Sequence, residues 1–236
     1  MEKHSVGSHG EWIEARKRLL AEEKEFTRRR DELTKHRQAL PWERIEKNYV
    51  FDEPAGKRSL ADLFHGKSQL IVYHFMFDPD WDAGCKSCSF WADNFDGIDV
   101  HLAQRDISFV AVSRAPFPKL DAYRKRMGWS FAWFSSYGSD FNHDFDVGFT
   151  PDEMASGAAL YNYATIKPPV SEMVGISVFF KDDSGSICHT YSAYSCGVDM
   201  VNGAYHYIDL VPKGRDEAEL PYTQAWVQRH DEYASG

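Results

Sequence analysis

Two cysteines with C-x-x-C spacing, Cys85 and Cys88, lie between a strand-like segment and a helix-like segment. Residues 70–77, LIVYHFMF, form an uninterrupted apolar run with the length of a central strand that is covered on both faces. A loop rich in aspartate, proline and glycine follows and leads directly into Cys85. Beyond the cysteines, large apolar residues recur every three or four positions and predict a helix over 89–104 that begins at the cysteines. The pattern therefore places two thiols where a strand delivers the start of a helix.

The remaining pattern predicts strands and helices in an α/β order. A buried strand is expected over 107–112, and a helix from Phe117 or Lys119 to Met127, closed by Gly128. The other predicted elements are a short strand (48–51), a helical turn capped by Ser59 (59–64), a strand (131–134) and a hairpin (175–180 with 187–194). A strand–helix–strand unit followed by antiparallel strands favours the α/β class, with a central mixed sheet flanked by helices.

An amphipathic helix is predicted over 11–37, ahead of this domain. Its large apolar residues recur at every seventh position: Trp12, Leu19, Phe26 and Leu33. Pro41 marks the end of the helix, because proline disfavours the α conformation in the residue before it. We therefore expect an N-terminal helical arm (1–40) and one α/β domain with insertions (41–236). The apolar stripe needs a partner surface, which is either the protein's own body or a second copy in a homodimer.

Charge and composition exclude several classes of function. The 236 residues contain 27 Lys and Arg against 36 Asp and Glu, and the net charge of −9 has the wrong sign for binding nucleic acid through its phosphates. The longest apolar runs are far too short to cross a bilayer. Four cysteines are too few for a disulfide-stapled secreted domain, and residues 1–10 lack the pattern of a signal peptide. We therefore expect the cytoplasm, where a C-x-x-C pair is more often redox-active or metal-binding than structural.

A redox-active dithiol needs one accessible sulfur that ionises readily and a second sulfur that attacks the resulting mixed disulfide. At a helix start, unpaired N–H groups and the helix dipole favour the Cys85 thiolate, and Cys88, one turn inside, is predicted to resolve the mixed disulfide. Lys86 adds a nearby positive charge, which also favours the Cys85 thiolate. The three aspartates of loop 78–84 disfavour that thiolate, so the sequence does not decide whether the pKa of Cys85 is raised or lowered. Trp81, in the same loop, is predicted either to cover the disulfide or to pack in the core.

The same cysteines leave a metal-binding alternative open. Zinc would want a second closely spaced pair, whereas Cys188 and Cys196 lie eight residues apart and are predicted to be small buried hydrophobes. His189, on the predicted hairpin, is a candidate for proton transfer, or for soft-metal (copper) ligation together with the two thiols. His74 lies within the apolar strand and is predicted to be a core histidine. The preferred interpretation, a dithiol enzyme, needs no metal and no cofactor.

Aromatic residues make up 15% of the chain, which raises a third alternative: a small-molecule pocket in which the thiols are incidental. The candidate lining residues are Trp129, Trp133, Phe141 and Phe145. Large rings are most often simply core, so this alternative ranks below thiol chemistry.

The cysteine segment resembles a known family. Residues 73–97, YHFMFDPDWDAGCKSCSFWADNFDG, resemble the signature of a bacterial thioredoxin-like family of unknown function, whose members are often labelled dithiol-disulfide oxidoreductases or isomerases. The similarity continues along nearly the whole chain, through residues 110–115, 138–142, 189–191 and 209–216. The resemblance implies a thioredoxin-like fold, whose element order the sequence pattern also matches. It further implies thiol-disulfide oxidoreductase activity on a thiol or disulfide substrate or a redox partner protein.

The sequence also departs from better-known relatives. Thioredoxins carry a cis-proline in the loop that faces the dithiol, whereas residues 172–177 here read EMVGIS, which weakens the case for general exchange with protein disulfides. Peroxiredoxins, which residues 142–147 resemble, place Thr or Ser three residues before the peroxidatic cysteine, but Asp82 stands there relative to Cys85. Arg114, just after its strand, is still a candidate cationic partner for the thiolate in a peroxiredoxin-like peroxide reductase.

Overall fold

The computed structural model describes residues 4–234, so residues 1–3 of the predicted arm and 235–236 of the predicted domain lie outside the described residues. The strands are β1 (Glu43–Arg44), β2 (Val50–Glu53), β3 (Gly56–Ser59), β4 (Gln69–His74), β5 (Ile107–Ser113), β6 (Ala132–Ser135), β7 (Ala159–Tyr161), β8 (Ala164–Ile166), β9 (Gly175–Lys181) and β10 (Ile187–Tyr194). The helices are α1 (His9–Gln38), α2 (Lys86–Phe95), α3 (Asp99–Leu102), α4 (Phe117–Met127), α5 (Phe141–Asp144), α6 (Pro151–Ser156) and α7 (Gly203–Ile208), with short 3₁₀ segments at Asp62–Phe64, Ala103–Arg105 and Ser195–Val201. Within residues 4–234, no helix combines the length and the apolar character needed to cross a membrane.

Eight of these strands form one mixed sheet in the order β1-β10-β9-β4-β5-β6-β2-β3. The strands β4, β5 and β6 run parallel, whereas β9 pairs antiparallel with β4, and β10 antiparallel with β9. The central order β5-β4-β9-β10, with a helix directly after β4, is the thioredoxin-like arrangement that the sequence predicts. The predicted α/β class, a central mixed sheet flanked by helices, is thus confirmed. The short strands β7 and β8 form a separate two-stranded sheet.

The sheet is buried on both faces because side chains alternate along its central strands. Tyr73 on β4 and Phe75, one residue beyond the end of that strand, pack in a cluster with α2 and α4, which we call the α2 face. Leu70 and Val72 pack on the opposite side with Phe179 and with α5, which we call the α5 face. This burial confirms a central strand covered on both faces, but the strand ends at His74, and residues 75–77 of the apolar run lie beyond it.

The chain divides into two compact units between Pro41 and Trp42. The first unit contains α1, which confirms the helix predicted over 11–37. This helix begins with a capping box: the Ser8 hydroxyl accepts from the Glu11 N–H, and the Glu11 carboxylate accepts from the Ser8 N–H at 2.7 Å. The surface that the apolar stripe meets stays a prediction, and so does a homodimer contact through it.

The helix predicted over 89–104 is interrupted after α2. Gly97 adopts a positive φ of 84°, a conformation that glycine reaches at little energetic cost. Asp96, beside it, accepts a hydrogen bond from the Ser130 N–H (2.8 Å), so a contact from a distant loop ends the helix. The apolar spacing runs past this break because Leu102 of α3 packs against the same α2 face.

His74 is a buried histidine at the end of β4, as the sequence predicts. Its Nε2 atom lies 2.9 Å from the Ser177 hydroxyl, and the rings of Phe141 and Phe145 lie 5.5 and 6.0 Å away. Its Nδ1 atom has no hydrogen-bond partner among the described residues. Burial lowers the pKa of His74 to about 3, and the nearby His189 acts in the same direction.

We expect the replacement His74→Gln to change how the free energy of unfolding depends on pH. In the wild-type chain the unfolded imidazole takes up a proton near pH 6.5, whereas the folded imidazole stays neutral down to about pH 3. The unfolded state therefore binds more protons as the pH falls, and stability is lost. Urea titrations from about pH 8 to about pH 5 should show the difference between the two proteins changing by up to about 1.4 kcal/mol per pH unit below the unfolded pKa.

The matched control is Ser177→Ala, which removes the hydrogen-bond partner of His74 but keeps the buried imidazole. This variant should retain the pH dependence of the wild-type chain. Identical pH dependence in the wild type and in His74→Gln would show that the imidazole is not held neutral.

Candidate functional site

A main-chain hydrogen bond joins the segment after β4 to the start of α2 at the cysteines. Cys85 is the N-cap residue of α2, and its N–H donates to the Met76 carbonyl (3.0 Å). Its carbonyl accepts from the N–H and from the hydroxyl of Ser89, both at 2.9 Å. Gly84 precedes it at a point where a Cβ atom would lie 2.7 Å from a ring carbon of Phe75, so only glycine fits. The strand thus delivers Cys85 to a helix start, as the sequence predicts.

Cys85 is a free cysteine that is partly exposed as a residue, and the pKa of its thiol is lowered. The largest cause of the lowered pKa is the hydrogen bond with the Cys88 thiol. The N–H groups of Cys88 and Ser87 and the Ser87 hydroxyl act in the same direction, while burial opposes them. These N–H groups belong to the first turn of α2, where no helical carbonyl is available to pair them and an anion is stabilised. The sequence leaves open whether the pKa of Cys85 is raised or lowered; in the structure it is lowered, and the thiolate is favoured.

Cys88 is a free thiol that is only 2% exposed. Burial raises its pKa, and the neighbouring Cys85 adds to the rise. The Met76 N–H donates to its Sγ atom at 3.5 Å, and the nearby Tyr73 hydroxyl also favours the thiolate. Because the two groups interact strongly, they titrate as a pair and one of them holds the charge at a time. The pair is asymmetric, with an ionisable outer thiol and a protonated inner thiol.

A cavity of about 460 Å³ opens beside the two thiols. Its wall includes Cys85, Cys88 and a third cysteine, Cys196. Cys196 is exposed and Cys188 is partly exposed, so the prediction that both are small buried hydrophobes is wrong. Tyr161 lies on the same wall; the pKa of its hydroxyl is raised chiefly by burial, and Cys88 and Cys196 both add to the rise. Residue spacing does not predict that Cys196 lies on the cavity wall, because the fold of the chain after β10 brings it there.

Lys86 and Trp81 flank the cysteines but contact other groups. The Lys86 ammonium donates to the Ala225 carbonyl (3.4 Å) and lies 5.7 Å from the centre of the Tyr222 ring. Trp81 is not part of the cavity wall; it packs, partly buried, against the α2-face core. Its carbonyl accepts from the Lys119 ammonium (2.5 Å). The packing interpretation of Trp81 therefore holds, and Lys86 anchors the C-terminal part of the chain.

The structure corrects the expectation that Arg114 pairs with the thiolate. Its guanidinium lies 3.2 Å from Asp78 and 3.0 Å from the buried Glu172. The Ser171 hydroxyl also donates to Asp78 (2.8 Å). Burial raises the pKa of Glu172 to about 8; Arg114 opposes this rise and Asp78 adds to it. Two carboxyl groups from separate segments thus hold the arginine, a contact that no local pattern predicts.

The structure does not bring His189, the candidate for proton transfer or metal ligation, to the thiols. Its ring lies on the α5 face, 5.3 Å from Phe145 and 5.6 Å from Phe179, whereas the cysteines lie on the α2 face. Its Nε2 atom lies 2.7 Å from the Ser192 hydroxyl. Strand alternation tells which residues share a face but not which face meets the site, and a bulge between His189 and Tyr191 breaks the alternation. Among the residues that the structure describes, no three His, Cys, Asp or Glu side chains form a metal-binding group.

The four aromatic residues considered as a pocket lining do not share a pocket. Trp129 and Trp133 belong to the α2-face core, whereas Phe141 and Phe145 belong to the α5-face core. The sheet therefore separates the two pairs, and all four rings are buried. The structure corrects this prediction as well: the rings are core side chains.

We expect iodoacetamide to alkylate Cys85 much faster than Cys88 in the reduced chain, because only the thiolate reacts. The rate at Cys85 should rise with a midpoint at about pH 6, following its lowered pKa. Peptide-level mass spectrometry after short exposures at a series of pH values gives the rate for each cysteine.

Ser87→Ala removes one hydroxyl that favours the thiolate and should move this midpoint to higher pH. Ser184→Ala, in the exposed turn between β9 and β10, is the matched control and should leave it unchanged. A Cys85 midpoint at or above about 8.5, the value of an ordinary thiol, would contradict the lowered pKa.

Solved structures that resemble this one are distant in sequence. Peroxidoxin BcpB from Mycobacterium tuberculosis is 14% identical, with 69% of this chain and 94% of that chain covered and a TM-score of 0.44. PrxQ from Xylella fastidiosa is 12% identical, with 69% and 89% covered and a TM-score of 0.41. A yeast mitochondrial 1-Cys peroxiredoxin is 13% identical, with 69% and 73% covered and a TM-score of 0.37. Likenesses this distant carry no information about residue roles in this chain.

Comparison with curated proteins gives no match. Comparison with family models does give one: residues 1–233 match the family described as Bacterial protein of unknown function (DUF899). The match covers nearly the whole chain, including both cysteines of the C-x-x-C pair. The chain therefore belongs to the DUF899 family of bacterial proteins of unknown function.

Proposed function

We propose that this protein is a thiol-disulfide oxidoreductase in which Cys85 attacks the substrate and Cys88 resolves the mixed disulfide. The observation that carries the proposal is the asymmetry of the pair. Cys85 is partly exposed at the helix N-cap with a lowered pKa, and Cys88 is buried with a raised pKa. Thiol–disulfide exchange needs this division, because the attacking sulfur must be ionised and reachable while the second sulfur stays protonated until the first has reacted.

The first step is attack by the Cys85 thiolate on one sulfur of a substrate disulfide, R–S–S–R′. A bond forms between Cys85 and that sulfur, the substrate S–S bond breaks, and the leaving thiolate R′–S⁻ takes a proton from solvent. This step removes the charge on Cys85, together with its hydrogen bond to Cys88. Both act to raise the pKa of Cys88. Cys88 therefore ionises more readily once Cys85 has reacted.

In the second step the Cys88 thiolate attacks the Cys85 sulfur and releases R–S⁻, which also takes up a proton. The protein then holds a Cys85–Cys88 disulfide, and the substrate has gained two electrons and two protons. A dithiol reductant returns the pair to its reduced form by the reverse sequence. The reduction potential of the couple decides the working direction: about −270 mV is typical of a reductase, and about −120 to −180 mV of an oxidant or isomerase.

The geometry supports this chemistry better than either alternative. A peroxiredoxin-like peroxide reductase would use Arg114 beside the thiolate, but Asp78 and Glu172 hold that guanidinium. Soft-metal binding would use His189, which lies across the sheet from the cysteines. A cytoplasmic location suits a protein that works with free thiols, and it is part of the proposal.

We expect mild oxidation of the reduced chain with diamide to give a Cys85–Cys88 disulfide that dithiothreitol reverses. Alkylation followed by peptide mass spectrometry, before and after oxidation, measures it. Cys88→Ser should accumulate a mixed disulfide at Cys85 when treated with hydroxyethyl disulfide, because the resolving sulfur is missing.

The matched control is Cys196→Ser, which removes the third cysteine on the same cavity wall. It should form the Cys85–Cys88 disulfide as the wild type does. If the two cysteines never form a reversible disulfide, the proposed function is wrong.

A further inference from the structure

The cavity beside the cysteines has the size of a small-molecule site. Its volume of about 460 Å³ falls within the range of roughly 300–1,000 Å³ found for pockets that hold small ligands. Apolar side chains form much of the wall around the sulfurs, among them Met76, Trp91 and Met173. The Tyr73 hydroxyl, on the same wall, belongs to a residue that is 1% exposed, and it lies close enough to Cys88 to favour the thiolate of that residue. The cavity therefore offers a largely apolar surface beside the two sulfurs.

The charged side chains on the cavity wall already have partners. The Arg215 guanidinium lies 2.9 Å from Asp199 and 2.9 Å from Asp209. The Glu217 carboxylate accepts from the Trp226 indole N–H at 2.7 Å. A charged ligand would have to displace these contacts to find an opposite charge. An uncharged ligand matches the wall without displacing them.

The C-terminal segment, residues 215–229, closes one side of the cavity. The residues that it adds to the wall include Tyr222, Thr223 and Gln224. Lys86, directly after Cys85, donates to the carbonyl of Ala225 in this segment. Arg229 donates to the Gly84 carbonyl at 2.7 Å, directly before Cys85. The segment is thus anchored on both sides of the attacking cysteine, and it blocks a large partner from that direction.

The loop before β9 leaves few main-chain groups for an extended peptide. The Ser171 carbonyl and the Met173 N–H are bonded to residues 147–149, at 3.0 and 2.9 Å. The Val174 carbonyl accepts from the Tyr161 hydroxyl (2.8 Å). An extended polypeptide is held beside a site by main-chain hydrogen bonds to a free edge, and here the protein's own chain occupies these groups.

We propose that the substrate of this site is a small, uncharged, largely apolar disulfide rather than a disulfide of another protein; this rests on the proposed function. The apolar substituents lie in the cavity, and the substrate S–S bond lies against Cys85. One substrate sulfur bonds to Cys85 while the other leaves as a thiolate and is protonated. Attack by Cys88 then releases the second thiol. Two electrons and two protons pass from the dithiol to the substrate, and a dithiol reductant restores the protein.

The test is a single-turnover reaction of the pre-reduced full-length chain with two disulfides. The small apolar probe is 2,2′-dipyridyl disulfide, and the protein probe is insulin. Each rate is divided by the rate of dithiothreitol with the same disulfide, which removes differences in intrinsic reactivity. The normalised rate with dipyridyl disulfide should exceed that with insulin by at least about tenfold, the discrimination that a fitted apolar pocket provides.

Two variants connect this preference to the cavity. Val170→Trp places a large ring on the cavity wall, and it should slow the small probe by about tenfold. Val100→Trp, on α3 outside the cavity, is the matched control and should change neither rate. Arg229→Ala removes the anchor to Gly84 and should raise the rate with insulin.

The two proposals fail in different ways. If both probes produce the Cys85–Cys88 disulfide and insulin reacts as fast as the small disulfide after normalisation, the proposed function stands and the substrate class is overturned. An unchanged small-probe rate in Val170→Trp, with the variant folded by circular dichroism, also overturns the substrate class. If neither probe produces that disulfide, the proposed function itself fails, and the substrate class fails with it.

Discussion

The rest of the site depends on how closely α2 packs against the end of β4. A ring carbon of Phe75 leaves room for nothing larger than glycine at Gly84, and the Cys85 N–H bonds to the Met76 carbonyl. Trp91, one turn beyond Cys88, is buried on the same face of the sheet. These contacts fix the conformation of the connection between β4 and α2. Because the start of α2 is held there, the N–H groups of Ser87 and Cys88 favour the Cys85 thiolate.

The same packing separates the chemistry of two neighbouring sulfurs. At Cys85 the helix N–H groups and the Cys88 thiol outweigh burial, so the pKa falls. At Cys88, one turn deeper, burial outweighs the Met76 N–H and the pKa rises. The two nearby cations, Lys86 and Arg114, contact other groups instead of the sulfurs. The balance between burial and main-chain donors thus distinguishes the two cysteines.

Segments remote in sequence determine access to this pair. The loop before β9, which lacks the proline of thioredoxins, is held by main-chain bonds to residues 147–149. The buried Glu172 in the same loop meets Arg114 at 3.0 Å. On the other side, Arg229 bonds to the Gly84 carbonyl and fixes the C-terminal segment. An open peptide-binding edge is thereby replaced by a cavity with walls from several parts of the chain.

Local information in the sequence determined the elements and their order. The apolar run of β4, the C-x-x-C pair at the start of α2, the long helix α1 and the hairpin of β9 and β10 all rest on periodicity, capping residues and turns, which act over a few residues. The thioredoxin-like class followed from that order. Only the tertiary structure decided which face His189 occupies, which carboxyl groups hold Arg114, and that Cys196 reaches the cavity. The reason is physical: these outcomes depend on contacts between residues far apart in the chain, and burial sets the pKa of each thiol only after those contacts have formed.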